Sequence, residues 1–354
     1  MTAEAFLSHL AFLLFLVVVS AGLTRFMIHR VAILDIPNER SSHDTPRPKS
    51  GGVAIVATFF FGVMVIAIVA RMTMIDHLYF FGMAVSGLLV AGISFYDDIR
   101  SKSYLVKLTT QFVAVVAALL SGLVINGVTV PGIGLVDAAW LVYPVTFLWI
   151  TGLTNAFNFM DGIDGLAGGT ALIAAVFFCA ITYLQGSHFV YIMSYAIIAG
   201  TLGFLLYNFP PARIFMGDVG SAFLGFIFAV LAIIAARYDH AQTPLLVIPL
   251  LLFHFIYDTV FTFCRRLLRG EKVTQAHRSH LYQLFQRLGH THLTVSVFYW
   301  ILGILQGAAA IWMAQAPTND RRILFFLPFL AIQAIYSTVI VRAARRAGLL
   351  EGGL

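Results

Sequence analysis

The stretch NAFNFMDGIDGLAGG, residues 155–169, follows directly on the apolar run LVYPVTFLWITGLT. Asp161 and Asp164 stand three residues apart, so one helical turn would put both carboxylates on one face. Gly162, Gly165, Gly168 and Gly169 would let the backbone come close to a ligand, and Asn155 and Asn158 add neutral donors and acceptors. This is more polar chemistry than the end of a helix requires.

Two further clusters share this character. In SFYDDIRSKS (94–103), Asp97 and Asp98 end an apolar run at the negative pole of a helix, where adjacent carboxylates repel each other and the helix end. A solvated terminus would account for them, but a site that gathers a cation, or Lys102 and Lys107, accounts for them better. In LYNFPPARIFMGDVGSAFLG (206–225), Pro210 and Pro211 close one apolar run, and Asp218, between Gly217 and Gly220, stands where it could cap the next. As an isolated piece it reads equally as an N-cap and as a ligand. Taken together, carboxylates, amides, glycines and scattered basic residues at one membrane edge suit Mg²⁺, with Mn²⁺ as a substitute, and a phosphorylated ligand.

The elements that must position these groups are membrane helices. Of 354 residues, 60% are hydrophobic and 11% charged, with a mean hydropathy of +0.90, against roughly 25% charged in soluble domains. Eleven apolar runs, centred near residues 16, 60, 87, 114, 147, 176, 199, 228, 254, 303 and 332, approach the length of about 20 residues that a bilayer demands. With the N-terminus periplasmic, the 22 basic residues divide 18 to 4 in favour of the cytoplasmic connections, leaving Arg71, Arg237, Arg321 and Arg322 on the other side. The net charge of +6 is thus a topology signal and gives no support for a nucleic-acid partner. The first run has no Lys or Arg before it and reads as an uncleaved span rather than a signal peptide. Cys179 and Cys264 lie in different runs and read as packing residues.

The expected fold is therefore an all-α integral membrane protein of ten to eleven spans with a cytoplasmic C-terminus. It forms a single polytopic domain over 1–354, with catalytic loops near 28–50, 97–104, 158–168, 209–219 and 265–291. NGVTVPGIGLV (126–136) has the alternation and turn residues of a small external hairpin. Of sixteen acidic residues, six fall near run ends on the cytoplasmic side: Asp97, Asp98, Asp161, Asp164, Asp218 and Asp258. Carboxylates there are costly to desolvate and are candidates for function.

These residues resemble the polyprenyl-phosphate N-acetylhexosamine-1-phosphate transferases, of the glycosyltransferase family 4 type. DIPNERSSHDTPRPKSGGVAI (35–55) is similar to that family's first cytoplasmic loop, Asp97-Asp98 to its aspartate pair, NAFNFMDGIDGLAGG to its signature, and NFPPARIFMGDVGS to its metal-binding segment. The resemblance covers nearly the whole chain and implies a cytoplasmic active site in the bacterial inner membrane that depends on Mg²⁺. It implies Asp218 as metal ligand, with Asp97 beside it, and Asn208, Phe215, Asp161 and Asp164 along the nucleotide side, Phe215 stacking on uracil. It also implies Lys49 and Lys107 near the phosphates. For Phe215 and Lys49 the residues alone say only apolar edge and solvated loop.

One departure bears on the branch. The family's last large loop carries a histidine-rich motif, whereas here it reads TQAHRSHLYQLFQRLG (274–289). His280, preceded by Arg278, keeps its place, Tyr282 and Gln283 stand where histidines would be, and His277 reads equally as an exposed loop residue. This points away from the peptidoglycan enzyme and towards the surface-polysaccharide branch, such as O-antigen initiation, and places Arg278 and His280 at the diphosphate or sugar. The implied substrates are undecaprenyl phosphate and a UDP-sugar, with UMP released; a homodimer is a further expectation.

Two other classes fit parts of the pattern. A cation-coupled transporter would carry intramembrane carboxylates, but near the midplane of repeated halves, and no repeat is visible. An intramembrane aspartyl protease would pair Tyr96-Asp97 with Gly-x-Gly-Asp, but Phe215 occupies the first glycine position.

Overall fold

A bilayer offers no water to backbone N–H and C=O groups, so the apolar runs must pair them internally, as helices do. The computed structural model describes residues 3–31, 33–37, 45–69, 77–100, 104–130, 134–187, 189–273, 275 and 277–350. In chain order it contains α1 (Ala3–Phe26), a π-helical turn (Met27–Val31), β1 (Leu34–Asp35), β2 (Arg47–Pro48), α2 (Gly52–Val69), α3 (His77–Arg100), α4 (Tyr104–Leu120), β3 (Val128–Val130), β4 (Gly134–Val136) and α5 (Ala139–Phe159). There follow α6 (Leu166–Leu184), α7 (Phe189–Asn208), α8 (Gly217–Arg237), α9 (Val247–Leu251), α10 (Phe253–Leu268), α11 (Leu281–Arg287), α12 (His292–Ala314), α13 (Asn319–Leu324) and α14 (Leu327–Arg346).

Each of the eleven apolar runs holds a helix, and the chain is a multi-pass membrane protein. Among the described residues, seven helical stretches are long and apolar enough to cross a bilayer, including 7–31, 78–100, 217–237 and 292–314. The ten to eleven spans expected from the runs include these seven. Among the remaining runs, α2 carries no charged residue along its 18 residues (Gly52–Val69). α5 is diluted by Thr151, Thr154, Asn155 and Asn158, and the run near 254 is split at Leu252 into α9 and α10.

The most apolar helix occupies the centre. In α8, 94% of the spanning window is buried inside the protein, against 22% for α1, as expected of a helix that is apolar on every face. Helices α2, α3 and α5 pack around it. Two contacts are close enough to demand glycine: a Cβ at Gly52 would lie 2.2 Å from Gly220 Cα, and one at Gly225 would lie 2.6 Å from Leu153 O. These approaches lock the ends of α2 and α5 onto α8.

The two ends of α8, about 30 Å apart at 1.5 Å per residue, define two poles. The ends of α3, α5 and α7 and the starts of α6 and α12 meet at the Gly217 pole. Here β1 and β2 form a short antiparallel ribbon, Leu34 opposite Pro48 and Asp35 opposite Arg47. At the Arg237 pole, β3 and β4 form the expected hairpin in the register Val128 to Val136; its tip, 131–133, lies outside the described residues.

Candidate active site

The site is built on the first turn of α8. Gly217 adopts φ +75°, and a Cβ there would lie 2.6 Å from Asp98 Oδ2 and 2.8 Å from Ser50 N. Glycine therefore lets two other segments reach the helix start. Backbone bonds tie the first loop to this turn: Phe215 N donates to Pro48 O, Gly51 N to Phe215 O at 2.9 Å, and Gly52 N to Met216 O at 2.8 Å. Phe215 is thus held as a strand-like partner of residues 48–52, with the Arg47 guanidinium 5.8 Å from its ring centroid.

Asp98, buried at the end of α3, accepts from the Ser50 hydroxyl at 2.9 Å and faces Asp218 N at 3.3 Å and Val219 N at 3.4 Å. It caps α8 from a neighbouring helix, and the positive pole of α8 offsets its charge. This answers the ambiguity at Asp218, whose side chain does not cap its own helix. Asn158 Nδ2 donates to Asp218 Oδ1 at 2.8 Å and to Ser221 Oγ at 3.0 Å. Asp97 is also buried, about 100° around α3 from Asp98.

Asp161 and Asp164 do not lie together on a helical face, contrary to the i, i+3 expectation. α5 ends at Phe159, and α6 starts only after Gly165, which adopts φ +74°. Asp164 turns into the protein. Ala212 N donates to its Oδ2 at 2.9 Å, Arg47 NH1 lies 3.4 Å from the same oxygen, and His292 Nδ1 lies 3.2 Å from Oδ1. Burial alone would raise its carboxyl, but His292, Ala212 N–H and Arg47 outweigh this and hold it below the ordinary carboxylate value. Asp161 is the opposite case. Burial pushes its carboxyl well above the ordinary value, and the charges of Asp218, Asp98 and Asp164 push it the same way.

Asn208, expected beside a nucleotide, is buried and used at both ends of its amide. Gly165 N donates to Oδ1 at 3.1 Å, and Nδ2 donates to Ile214 O at 2.8 Å. It ties the 161–165 loop to the 209–214 loop and is a positioning residue. Asn155 donates to Gln111 Oε1 at 3.0 Å. Asn155, Asn158, Gln111 and Asp218 form the polar end of a cleft of about 110 Å³, whose walls include Val90, Ile93, Leu108 and Ala222. The Asp218 carboxylate thus lies in the wall of a small cleft that it shares with apolar side chains. The helix carrying Lys107 borders this cleft, but the Lys107 side chain and Lys102 lie outside the described residues. Lys49, partly buried, acts electrostatically on Asp98.

The last loop is held beneath the Asp161 turn by a carboxylate knot. Asp258 in α10 is fully buried and accepts from Leu281 N at 2.9 Å, Tyr282 N at 3.1 Å and Tyr299 OH at 3.0 Å, with His280 Nδ1 at 3.1 Å. Tyr282 OH donates to Phe159 O at 2.9 Å, and a Cβ on Gly162 would strike that hydroxyl. His280 is therefore buried and anchored, its ring 5.8 Å from Phe159. His277 is not the exposed loop residue of one sequence reading. It is partly buried against His280, with ring centroids 5.0 Å apart, and burial together with His280, Arg266 and Arg265 pushes its pKa down to about 3. Arg278, also partly buried, accepts at its backbone carbonyl from Arg287.

Residues absent from the sequence reading complete the site. Ser50, Arg47, Gln111, Ser221 and His292 each hold a functional candidate in place. Ser50 and Arg47 could have been suspected because they lie within the PRPKSGG segment; Gln111 stood out as a lone amide in an apolar helix.

A divalent cation can be weighed against this geometry. Among the described residues, no three His, Cys, Asp or Glu side chains converge as a preformed metal cage. Mg²⁺ rarely needs one, since it is held by one or two carboxylates, waters and substrate phosphates. The mutual repulsion of Asp161, Asp218 and Asp98 is surplus negative charge that such an ion would relieve, so the residues fit it.

Comparison with known proteins gives a consistent answer. The model of glycosyl transferase family 4 matches residues 80–236. A Bacillus subtilis protein that carries the name probable undecaprenyl-phosphate N-acetylglucosaminyl 1-phosphate transferase is 31% identical over 317 residues, 87% of this chain and 86% of that protein. The decaprenyl-phosphate N-acetylglucosaminephosphotransferase of Mycobacterium leprae is 28% identical over 86% of this chain and 83% of its own. The phospho-N-acetylmuramoyl-pentapeptide-transferase of Halalkalibacterium halodurans is 32% identical, but over only 52% of this chain and 56% of its own.

Proposed function

The chain belongs to glycosyl transferase family 4, the polyprenyl-phosphate N-acetylhexosamine-1-phosphate transferases, and from that premise we propose that it transfers N-acetylhexosamine-1-phosphate from a UDP-sugar to undecaprenyl phosphate, releasing UMP. The observation that carries this reading is Asp218 in the wall of a cleft lined also by apolar side chains, with its charge acting on the nearby Asp161. It offers a prenyl chain, a phosphate and a cation one place to meet. The product would initiate a lipid-linked surface polysaccharide, with the O-antigen type as one such polymer. N-acetylglucosamine is the first sugar to test, since the relatives that match along most of the chain carry that sugar in their names. The active site would face the cytoplasm of the inner membrane.

When bound, Mg²⁺ would neutralise the diphosphate of the UDP-sugar. Asp218 would hold it, with Asp161 and Asp97 as further carboxylates, and Asn158 fixes the Asp218 rotamer. Phe215, on the backbone-paired segment, offers a ring for uracil, and Lys49 and Lys107 would pair with phosphates. Arg278 would contact the diphosphate or sugar, while His280, anchored on Asp258, sets the wall of that side. The lipid phosphate needs no strong base, because the second pKa of a phosphate monoester is near 6. Asp98, engaged as the cap of α8, is then a positioning group, and the reaction is a single displacement at phosphorus, catalysed by charge neutralisation and alignment.

The test offers purified protein a panel of UDP-N-acetylhexosamines, 6-deoxy forms included, with undecaprenyl phosphate and Mg²⁺, and identifies the lipid product by mass. A lipid diphosphate bearing one sugar, with stoichiometric UMP, is expected. Exchange of labelled UMP into the UDP-sugar without any lipid phosphate, abolished by Asp98→Asn, would instead reveal a covalent phospho-sugar enzyme.

A further inference from the structure

The Arg237 pole carries a second cavity that the transfer reaction does not use. It encloses about 520 Å³, within the range of small-molecule sites. It lies between the hairpin, the end of α8, the 242–246 segment and α13. Its walls are mostly apolar, with Val128 and Leu135 from the hairpin, Ile233 from α8, Leu245 and Leu246, and Ile323 from α13. The polar groups include two guanidinium side chains, Arg237 and Arg322, and among the described residues no acidic one lines it. The nearby Asp239 is turned away, accepting from Ser187 Oγ at 2.6 Å and Ala241 N at 3.0 Å.

Two arginines here need a reason. Arg237 and Arg322, at the end of α8 and in α13, line this one cavity together. Each uses part of its fork on the protein: Arg237 NH1 donates to Val124 O at 2.8 Å, and Arg322 donates to Ala316 O and Asn319 Oδ1. A guanidinium has five N–H donors, so both forks are oriented by protein contacts while keeping donors for an anion. The level is that of a membrane interface. Trp140 and Tyr143 near the start of α5 and Trp312 near the end of α12 are exposed at this pole, as aromatic side chains are at headgroup depth.

We infer that this cavity is a binding site for an anionic membrane phospholipid, its phosphate between Arg237 and Arg322 and its first acyl carbons along Leu135, Leu245 and Ile323. Charge complementarity and the apolar walls select this occupant over a zwitterionic lipid or a free anion. Bound there, the lipid would brace the hairpin against α8 and α13.

The test measures lipid retention by native mass spectrometry and thermal unfolding in detergent, with added phosphatidylglycerol, phosphatidylcholine or inorganic phosphate. Phosphatidylglycerol is expected to be retained about tenfold better than phosphatidylcholine, about 1.4 kcal/mol, and to raise the unfolding temperature by several degrees. Inorganic phosphate should do neither. Arg237→Gln with Arg322→Gln should bring retention down to the phosphatidylcholine level. Should that pair fail to fold, Ala236→Phe fills the cavity with both arginines intact and should have the same effect. Equal retention of the two lipids, protection by phosphate alone, or undiminished phosphatidylglycerol retention in a folded variant would overturn the inference.

Discussion

Two groups of aspartates lie at the same membrane edge and behave oppositely. Around the start of α8, Asp161, Asp218 and Asp98 repel one another, and burial and that repulsion lift the Asp161 carboxyl. Below the last loop, Asp258 is fully buried but surrounded by donors from α11, α12 and His280. Asp164, three residues from Asp161, belongs with the second group, because Arg47, Ala212 N–H and His292 neutralise it. A carboxylate in a low-dielectric edge is either satisfied by the protein or left for a cation and phosphates. The partner set decides which, and sequence position does not.

The sharpest way to break this comparison is to neutralise one member of each group. Asp218→Asn should lower turnover by about 10³-fold, the scale of losing a preorganised charge contact, with little change in unfolding temperature. Near-normal turnover in that variant would reduce Asp218 to a structural group. Asp258→Asn should act in reverse. It leaves several buried donors facing a weaker acceptor and should cost about 3 kcal/mol of stability. Thermal unfolding would read this, with activity per folded molecule changed far less than for Asp218→Asn.

Much of the first group was legible in the sequence, and little of the second. Asp161, Asp218, Asn155 and Asn158 announced themselves because carboxylates and amides beside glycine are costly at a membrane edge. The helix positions followed from hydropathy, since the bilayer enforces backbone pairing. What stayed hidden depends on partners distant in the chain. That Asp98 rather than Asp218 caps α8 requires α3 to lie against α8, 120 residues later. The inward turn of Asp164 depends on His292, 128 residues away. Two local features of the runs also went unread: polar residues enter α5, and the run near 254 breaks at Leu252 into α9 and α10.

A subtler substitution sharpens the comparison. Gly217→Ala places a methyl 2.6 Å from Asp98 Oδ2 in a left-handed conformation, which costs about 1–2 kcal/mol for a non-glycine residue. It should displace the cap and lower turnover about tenfold while Asp218 itself remains. Unchanged turnover with a folded protein would separate the cap from the chemistry.

The smallest expected effect is on acid stability. The Asp164 carboxyl is held below its ordinary value of 3.8. The stability it lends is therefore present above that value and lost as pH falls through the lower folded one. The difference in unfolding temperature between wild type and Asp164→Asn should be larger at about pH 5 than at lower pH, and shrink below about pH 4. A difference that instead grows on acidification would contradict the pairing with Arg47 and His292.

The central claim is that phosphorus, and not the sugar alone, moves to the lipid. UDP-N-acetylglucosamine labelled at the sugar-proximal phosphorus, incubated with purified protein, undecaprenyl phosphate and Mg²⁺, tests it directly. The account predicts label in a lipid diphosphate and unlabelled UMP, with neither formed by Asp218→Asn. Label recovered in free UDP, with a lipid monophosphate-linked sugar as product, would contradict it.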